Sequence, residues 1–371
     1  MTEATTKTVD TSQSRAKRLR VVRLPIPRDF LLWAAMSCWV LYGLTASGSA
    51  QLVLINTALL FSIGALATQV LVGFTHLISL GHMAFLVLGV VCSSIVTQLN
   101  DYPPVLALLV STLGGAILGF IVGLPALRIR GLYLILATLA LHFIALYAMR
   151  EFQLAHFLNV GAIAVGHLDI FGIEVSGERA WTMFLTPIVV VIALVLASLL
   201  KSRHGRGMLA LSNNELAAST LGVPVARVKL TAFAISSALL AMLGSLQSFY
   251  NRSVGLEGLS LDVVITYYVM VVIGGLGGNI VGAVIGAIFV AVSPRLLTWV
   301  GDNVLSEIPG IGPFVQGHLA EVQLLVYGLA ICVVMLFAPK GLRGLYYALF
   351  DAVRRLVRVE RRRKESEAAD A

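Results

Sequence analysis

The chain has 371 residues and a net charge of +8; 58% of its residues are hydrophobic and only 12% are charged. This composition excludes a soluble globular protein and predicts an integral membrane protein. The positive charge alone would fit a nucleic-acid-binding protein, but the basic residues follow a membrane topology instead, so no nucleic-acid partner is expected. Apolar runs of about 20 residues predict an all-α membrane protein, since barrel strands would be shorter and would alternate.

Residues 1–29 are rich in Ser and Thr and then basic, and they predict a flexible cytosolic tail. Residues 30–340 form the predicted transmembrane domain, with about ten helices at 30–46, 50–72, 79–97, 103–123, 131–149, 181–200, 228–250, 259–274, 276–299 and 320–338. With a cytosolic N-terminus, the only outer Lys and Arg residues are Arg150, Arg179, Arg252 and Arg295. This bias predicts a multi-pass protein of the cytoplasmic (inner) membrane with both termini cytosolic.

Two segments carry glycine at every fourth position, which leaves a bare stripe on one helix face and lets another helix approach closely. The stripes are Gly115, Gly119 and Gly123 in the fourth segment and Gly278, Gly282 and Gly286 in the ninth. Because five spans separate them, they run in opposite directions, as an inverted repeat requires. Close packing explains them without any repeat. The third and ninth segments, rich in Gly and polar residues, also fit re-entrant or broken helices.

A polar cytosolic segment, residues 201–229, separates the sixth and seventh spans. Within it, Gly205–Pro224 predicts a short helix of about nine residues. Ser212 and Glu215 have the spacing of a capping box, in which both side chains satisfy free N–H groups at the helix start. Gly222 predicts the end of this helix.

Three other segments lie outside the predicted spans. The outer connection 150–180 fits a docking surface for a soluble partner, and 301–319 fits an ordered cover over the pore mouth. Ordinary solvated loops are the alternative for both. Residues 341–371 are basic and predict an amphipathic cytosolic helix on the inner leaflet of the lipid bilayer, followed by a tail. Docking of a partner protein is the alternative for this helix.

No catalytic or cofactor-binding pattern is recognisable. The sequence contains no P-loop, carboxylate pair, catalytic triad or metal-ligand cluster, so we expect no enzyme, no cofactor and no metal site. Three cysteines, Cys38, Cys92 and Cys332, stand alone within apolar runs and are interpreted as packing residues.

Charged or titratable groups inside spans are costly and therefore mark candidate functional positions. His82, His142 and Asp262 are such positions, but only His142 lies deep, so hydrogen-bonded packing is favoured over a proton relay. The cluster Gly274–Gly278, which includes Gly275, predicts a tight turn between the eighth and ninth spans.

Four stretches carry a family resemblance. They are Ser79–Phe85 (SLGHMAF), Arg130–Leu134 with Thr138–Ala140, Gly205–Gly222, and the glycine-rich run Gly274–Gly286. In order and spacing they resemble the permease subunits of the high-affinity branched-chain amino acid family of ABC importers, over about residues 70–345. The motifs are specific to the family but not to a substrate.

The resemblance implies a partner assembly. A second permease subunit, usually non-identical, would enclose a central pathway with this chain, and two cytosolic ATPase subunits would bind the ATP. A soluble extracytoplasmic solute-binding protein would deliver the cargo, which could be branched-chain or other amino acids, urea or a short amide. Without the resemblance, the residues fit a stand-alone secondary transporter or channel equally well, and a membrane scaffold that transports nothing is a third hypothesis.

The resemblance also assigns residues. Coupling to the ATPase is implied for Gly205, Arg206, Ser212, Glu215, Ala217, Ala218 and Gly222. From the glycine spacing and the recognised motifs together, helix packing or gating is predicted for Gly81, His82, Gly115, Gly119, Gly123, Gly275, Gly278, Gly282 and Gly286. No substrate-binding residue is identified. Family members usually carry charge where Ser212 and Asn213 stand, so the fit to the ATPase is expected to depend more on shape than on ion pairs.

Overall fold

The computed structural model describes residues 48–129, 131–157, 162–170, 173–277 and 280–300, together with a few positions between 318 and 329. The predicted first span (30–46), most of the predicted tenth span (320–338) and both terminal tails (1–29 and 341–371) lie outside the described residues.

Helices make up most of this part of the chain. They are α1 (Ser49–Thr68), α2 (His82–Ser94), α3 (Pro104–Ala126), α4 (Leu132–His156), α5 (Glu178–Lys201), α6 (Arg203–Asn213), α7 (Glu215–Thr220), α8 (Val225–Asn251), α9 (Leu261–Gly274) and α10 (Ile280–Val300). Both α1 and α2 continue as π-helices, Gln69–Gly73 and Ile95–Leu99, and a 3₁₀-helix covers Leu256–Leu259. The short strands are β1 (Ala162–Ala164), β2 (Asp169–Ile170), β3 (Ile173–Glu174) and β4 (Ser253–Gly255).

Within the described residues, six helices are long and apolar enough to cross a membrane: α1 and α2 with their π-helical ends, α3, α4, α5 and α8. They coincide with the predicted second to seventh segments to within three residues, except that α4 runs on to His156, beyond the predicted end at 149. This agreement confirms a mostly helical, multi-pass membrane protein. Helix α9 and the apolar part of α10 (Ile280–Leu296) are shorter. The full count of about ten spans and the orientation of the termini remain predictions. We call the end of the bundle with α6 and α7 the cytosolic side, following the predicted topology, and the opposite end the outer side.

Helices α1, α2 and α8 form the core of the bundle, because small residues let their backbones come close. A side chain at Gly89 of α2 would overlap the carbonyl group of Ala241 in α8. A side chain at Gly244 of α8 would overlap the carbonyl group of Leu86 in α2. Glycines at such crossings remove the Cβ atoms that would otherwise hold two helices apart. The fit between α2 and α8 therefore depends on reciprocal glycines.

The predicted glycine stripes lie at helix crossings. Those at Gly115, Gly119 and Gly123 are buried on α3 and face α8, where added Cβ atoms would meet Ser237 and Phe233. In α10, Gly282 contacts Gly274 and Gly286 contacts Met270, both on α9. Gly278 lies outside the described residues. Close packing thus accounts for the described part of both stripes, and the inverted repeat stays a prediction.

Helices α3, α4 and α5 lie at the periphery and turn broad apolar faces outward. Leu113, Phe143 and Leu194 are 62%, 57% and 62% exposed. Faces this large and apolar would be unfavourable in water, but they match the hydrocarbon of a bilayer. The lipid partner expected from the composition is therefore consistent with the packing.

The outer connections are ordered by short strands. Strand β1 pairs antiparallel with β4, with Ile163 opposite Val254, and β2 pairs with β3 in a small hairpin. The connection between α4 and α5 is thereby joined to the one between α8 and α9. A polar cluster lies below them, since Asn56 Nδ2 and the Tyr250 hydroxyl both donate to Glu178 Oε2, each at 2.8 Å.

Candidate coupling site

Helix α6 folds back beneath the bundle directly after α5. The Ser202 hydroxyl caps it by accepting from the Gly205 N–H at 3.2 Å, and this satisfies one of the free N–H groups at its start. A side chain at Gly205 would overlap the carbonyl group of Leu199, and one at Gly207 would press on Val228 of α8. Both glycines therefore allow the tight return of the chain onto α8.

Helix α7 begins at Glu215 and is capped by Asn214, whose Oδ1 accepts from the Ala217 N–H at 3.0 Å. The predicted capping box at Ser212 and Glu215 is wrong. Helix α6 runs on to Asn213, so Ser212 lies in its last turn, where its hydroxyl donates to the Leu209 carbonyl. The chain leaves helical geometry only at Asn214, and asparagine is as good an N-cap as serine. The segment accordingly forms two helices instead of the single one predicted.

Gly222 ends the α7 turn, as predicted. Its φ of 79° lies in the left-handed region, which glycine adopts without steric cost. Its N–H donates to the Ser219 carbonyl at 3.1 Å, and the Val223 N–H donates to the Ala218 carbonyl at 3.0 Å. These bonds form a Schellman motif, which satisfies carbonyl groups at the helix end.

An ion pair fixes α7 to α8. Lys229 Nζ lies 2.8 Å from Glu215 Oε1, and the two side chains are 4% and 36% exposed. An ammonium group removed from water in this way requires a hydrogen-bonded partner, because its desolvation is costly. Glu215 supplies that partner from the first turn of α7, where a carboxylate also interacts favourably with the helix dipole.

A second contact joins the end of α6 to the loop between α1 and α2. His76 Nδ1 lies 2.7 Å from the Ser212 carbonyl oxygen and donates to it. His76 holds a φ of 51°, a conformation uncommon outside glycine. Sequence reasoning missed both His76 and Lys229. His76 precedes the recognised motif, and a lone lysine at the start of an apolar run resembles an ordinary topological charge.

The remaining predicted coupling residues divide into two groups. Ala218 is buried against the bundle. Arg206, Ala217 and Gly222 are exposed, and the Arg206 guanidinium donates to the Lys201 carbonyl at 2.7 Å. Leu216 and Leu221, which lie between them in sequence, are 75% and 83% exposed. The segment thus presents an exposed apolar face, while its opposite side is buried against the bundle.

The predicted gating residues Gly81 and His82 lie where α2 begins. His82 Nδ1 donates to the Ser79 carbonyl at 2.7 Å, and its Nε2 lies 3.0 Å from the Ser236 hydroxyl of α8. Ser236 in turn lies 2.8 Å from the Ala67 carbonyl of α1. His82 and Ser236 therefore bring α1, α2 and α8 together in one polar contact, in which the single Ser236 hydroxyl proton is donated to one acceptor at a time. This arrangement fits a packing role.

The backbone of Ser79 is also held by α9. The Tyr268 hydroxyl donates to the Ser79 carbonyl at 2.7 Å and accepts from the Ser79 N–H at 2.8 Å. Gly81 is needed here, because a side chain on it would overlap the Thr138 carbonyl of α4. Gly275, with a φ of 111°, begins the predicted turn after α9.

Two of the span residues singled out from the sequence differ from His82. His142 is fully buried in α4, and neither ring nitrogen has a hydrogen-bond partner among the described residues. Asp262 is exposed near the start of α9, where its carboxylate accepts from the Ser260 hydroxyl. No group of three or more His, Cys, Asp or Glu residues that could hold a metal occurs in the described part of the chain.

Comparison with known proteins identifies the family. The sequence model described as "Branched-chain amino acid transport system / permease component" matches residues 51–335. LivM of Escherichia coli K12, a high-affinity branched-chain amino acid transport system permease protein, is 25% identical over 308 residues, which is 76% of this chain and 68% of LivM. LivH of Methanocaldococcus jannaschii, a probable branched-chain amino acid transport permease, is 25% identical over 303 residues, 78% of this chain and 89% of LivH.

A shorter match extends to a sugar transporter. The xylose/arabinose import permease protein XylH of Sulfolobus acidocaldarius is 33% identical over 95 residues, 24% of this chain and 27% of XylH. The matched family is a family of transport permeases and not of enzymes. Since the family model covers most of the chain, including every described helix from α2 to α10, the protein belongs to the family of permease components of branched-chain amino acid transport systems.

Proposed function

We propose that this chain is the translocating subunit of an ATP-binding-cassette importer and that α6 and α7 contact a cytosolic ATPase subunit. The observation that carries the proposal is the exposed apolar face at α7, where Leu216 and, directly after the helix, Leu221 are largely exposed. Large apolar side chains exposed together, away from the bilayer, are typical of a protein interface. Ala217 and Gly222, two of the coupling residues predicted from the sequence, directly follow these leucines in the chain.

Two contacts that join α6 and α7 to the rest of the bundle support transmission of a movement from the ATPase to the membrane helices. Glu215 joins α7 to α8 through Lys229, and Ser212 joins the end of α6 to the loop before α2 through His76. A displacement of α6 and α7 by an ATPase would therefore be passed to α8 and to the connection between α1 and α2. Helices α1, α2 and α8 form the core of the bundle, so the movement would reach the core.

The proposed assembly contains a second permease subunit, two ATPases that bind the ATP, and an extracytoplasmic solute-binding protein, in the cytoplasmic (inner) membrane. The names of the relatives favour branched-chain amino acids as cargo, with other amino acids, urea and short amides as alternatives. The paired outer strands β1 and β4 offer an ordered surface for the binding protein. No resident cofactor is proposed for this chain.

The test is to co-express the chain with the products of its co-transcribed genes, reconstitute the complex in proteoliposomes, and measure ATP-dependent uptake of leucine, glutamate and urea. Replacing Leu216 and Leu221 together by Asp should abolish uptake and leave the chain folded. Leu154→Asp, at an exposed leucine on the outer end of α4, is the control and should retain uptake. Unchanged uptake in the double variant would contradict the coupling role.

A stand-alone secondary transporter is the second candidate, because His142 is buried in a span without a partner among the described residues. Such a site is typical of proton or substrate pathways. This candidate predicts uptake by vesicles that contain only this chain and carry an ion gradient. Uptake that needs both ATP and the co-expressed subunits would exclude it.

A further inference from the structure

A cavity of about 320 Å³ lies between α1, α8, α9 and α10. Its polar lining residues are Thr57, Gln247, Thr266 and Tyr267. Its apolar wall includes Phe61 and Ala291. Cavities that bind small molecules have this character, since they are largely apolar with a few polar groups that fix orientation.

The cavity lies in the outer half of the bundle and is closed toward the cytosolic side. Gln247 is near the outer end of α8, and Thr266 is near the outer end of α9. Below them, the ring of Tyr267 packs directly against Gly64 of α1, and Gly286 of α10 packs against Met270 of α9. A solute that enters from the outer side would therefore stop at this floor.

The polar groups of the lining suit the two ends of a zwitterion. The Thr57 hydroxyl donates its proton to the Val53 carbonyl and the Thr266 hydroxyl donates to the Asp262 carbonyl, each at 2.8 Å. Their oxygens consequently remain acceptors, which an ammonium group can use. The amide of Gln247 makes no hydrogen bond within the described part of the chain, so its NH₂ group is available to a carboxylate.

We infer that this cavity is a substrate site for an α-amino acid with an aliphatic side chain. This inference rests on the proposed importer function. The ammonium group meets the two threonine hydroxyls, the carboxylate meets the Gln247 amide, and the aliphatic side chain lies on the wall formed by Phe61 and Ala291. No described lining residue is charged, which suits a pathway because binding must be weak enough for release. Urea would leave the apolar wall uncovered.

The direct test is protection of a cysteine placed in the cavity. Ala291→Cys is introduced into the complete complex after the native cysteines have been replaced by serine. A small membrane-impermeant thiol reagent is added from the outer side. We expect labelling that leucine slows about tenfold when it is supplied at about ten times its Kd, and that urea does not slow.

Gln247→Leu should remove the protection by leucine, whereas Gln51→Leu, an exposed glutamine of α1 outside the cavity, should not. Leu154→Cys should label equally fast with and without leucine. No labelling at position 291, or labelling that leucine does not slow, would overturn the inference.

Transport separates this inference from the proposed function. Ala291→Phe fills the cavity, and we expect it to abolish leucine uptake while the complex still assembles, which size-exclusion chromatography of the purified complex measures. Wild-type uptake in Ala291→Phe would overturn the substrate site alone. Absence of ATP-driven uptake of any amino acid by the unsubstituted complex would instead overturn the proposed function.

Discussion

The ammonium group of Lys229 is almost completely buried, and its ion-pair partner is Glu215, 2.8 Å away on the first residue of α7. The stability of a buried ion pair is sensitive to substitution, because loss of one partner leaves the other charge desolvated and unpaired. The position of α7 on α8 therefore depends on a carboxylate that is itself one third exposed. Substitutions at this pair should also affect the core helices that lie above it.

Glu215→Gln should detach α7 from α8. The substitution leaves the Lys229 ammonium without a counter-charge, so we expect a loss of about 2 kcal/mol in stability and a larger loss of ATP-driven uptake. Thermal unfolding of the purified complex and uptake by proteoliposomes are the measurements. Glu151→Gln, an exposed glutamate at the end of α4, is the matched control. Restored stability in the double variant Glu215→Leu with Lys229→Met would show that the unpaired charge causes the loss. Wild-type stability and uptake in Glu215→Gln would contradict the prediction.

His76→Asn should weaken uptake with little effect on folding. Asparagine tolerates the left-handed backbone that His76 adopts, but its shorter side chain cannot reach the Ser212 carbonyl in the same geometry. We expect a stability cost of about 1 kcal/mol for the lost hydrogen bond. The measurement is the ratio of solute transported to ATP hydrolysed. His204→Asn, an exposed histidine of α6, should keep the wild-type ratio, and an unchanged ratio in His76→Asn would refute the link.

Asn214→Ala should destabilise α7 by about 1 kcal/mol, the usual cost of losing an N-cap. Ser212→Ala should cost less, because its hydroxyl only donates to a carbonyl within α6. Urea unfolding of the two variants in detergent compares them directly. If Ser212→Ala were the more destabilising variant, the result would instead support the capping box expected from the sequence.

Gly115→Ala should be strongly destabilising, whereas Gly114→Ala should be neutral or slightly stabilising. A Cβ at Gly115 would lie 2.7 Å from the Ser237 carbonyl oxygen of α8, but one at Gly114 would be 3.9 Å from its nearest neighbour, a methyl group of Leu88. Overpacking of this kind costs about 1–3 kcal/mol, and alanine has the higher helix propensity. The midpoint of thermal unfolding measures both, and a similar midpoint for the two variants would contradict the assigned helix contact.

The sequence was sufficient for features that depend on long apolar runs or on single glycines. The second to seventh spans and the stop at Gly222 follow from hydrophobicity and from backbone freedom, both of which are local properties. Local patterns were ambiguous at Ser212 and Asn214, since both residues cap helices well and only the length of α6 decides between them.

Other features depend on tertiary contacts that no local pattern shows. The π-helical ends of α1 and α2 carry no composition signal. His76 and Lys229 acquire their roles from residues 136 and 14 positions away. The cavity exists because four helices separate around Thr57, Gln247 and Thr266, and their relative rotations cannot be obtained from periodicity alone.

Helix α9 carries two adjacent tyrosines with different tasks. Tyr267 closes the floor of the cavity against Gly64, while the hydroxyl of Tyr268 binds both the N–H and the carbonyl group of Ser79. Neighbouring residues of an α-helix keep a fixed angular offset, so a turn of α9 about its own axis that lifts one ring must also withdraw the other. If α9 rotated in this way, the barrier beneath the solute and the hydrogen bonds at the start of α2 would therefore open together.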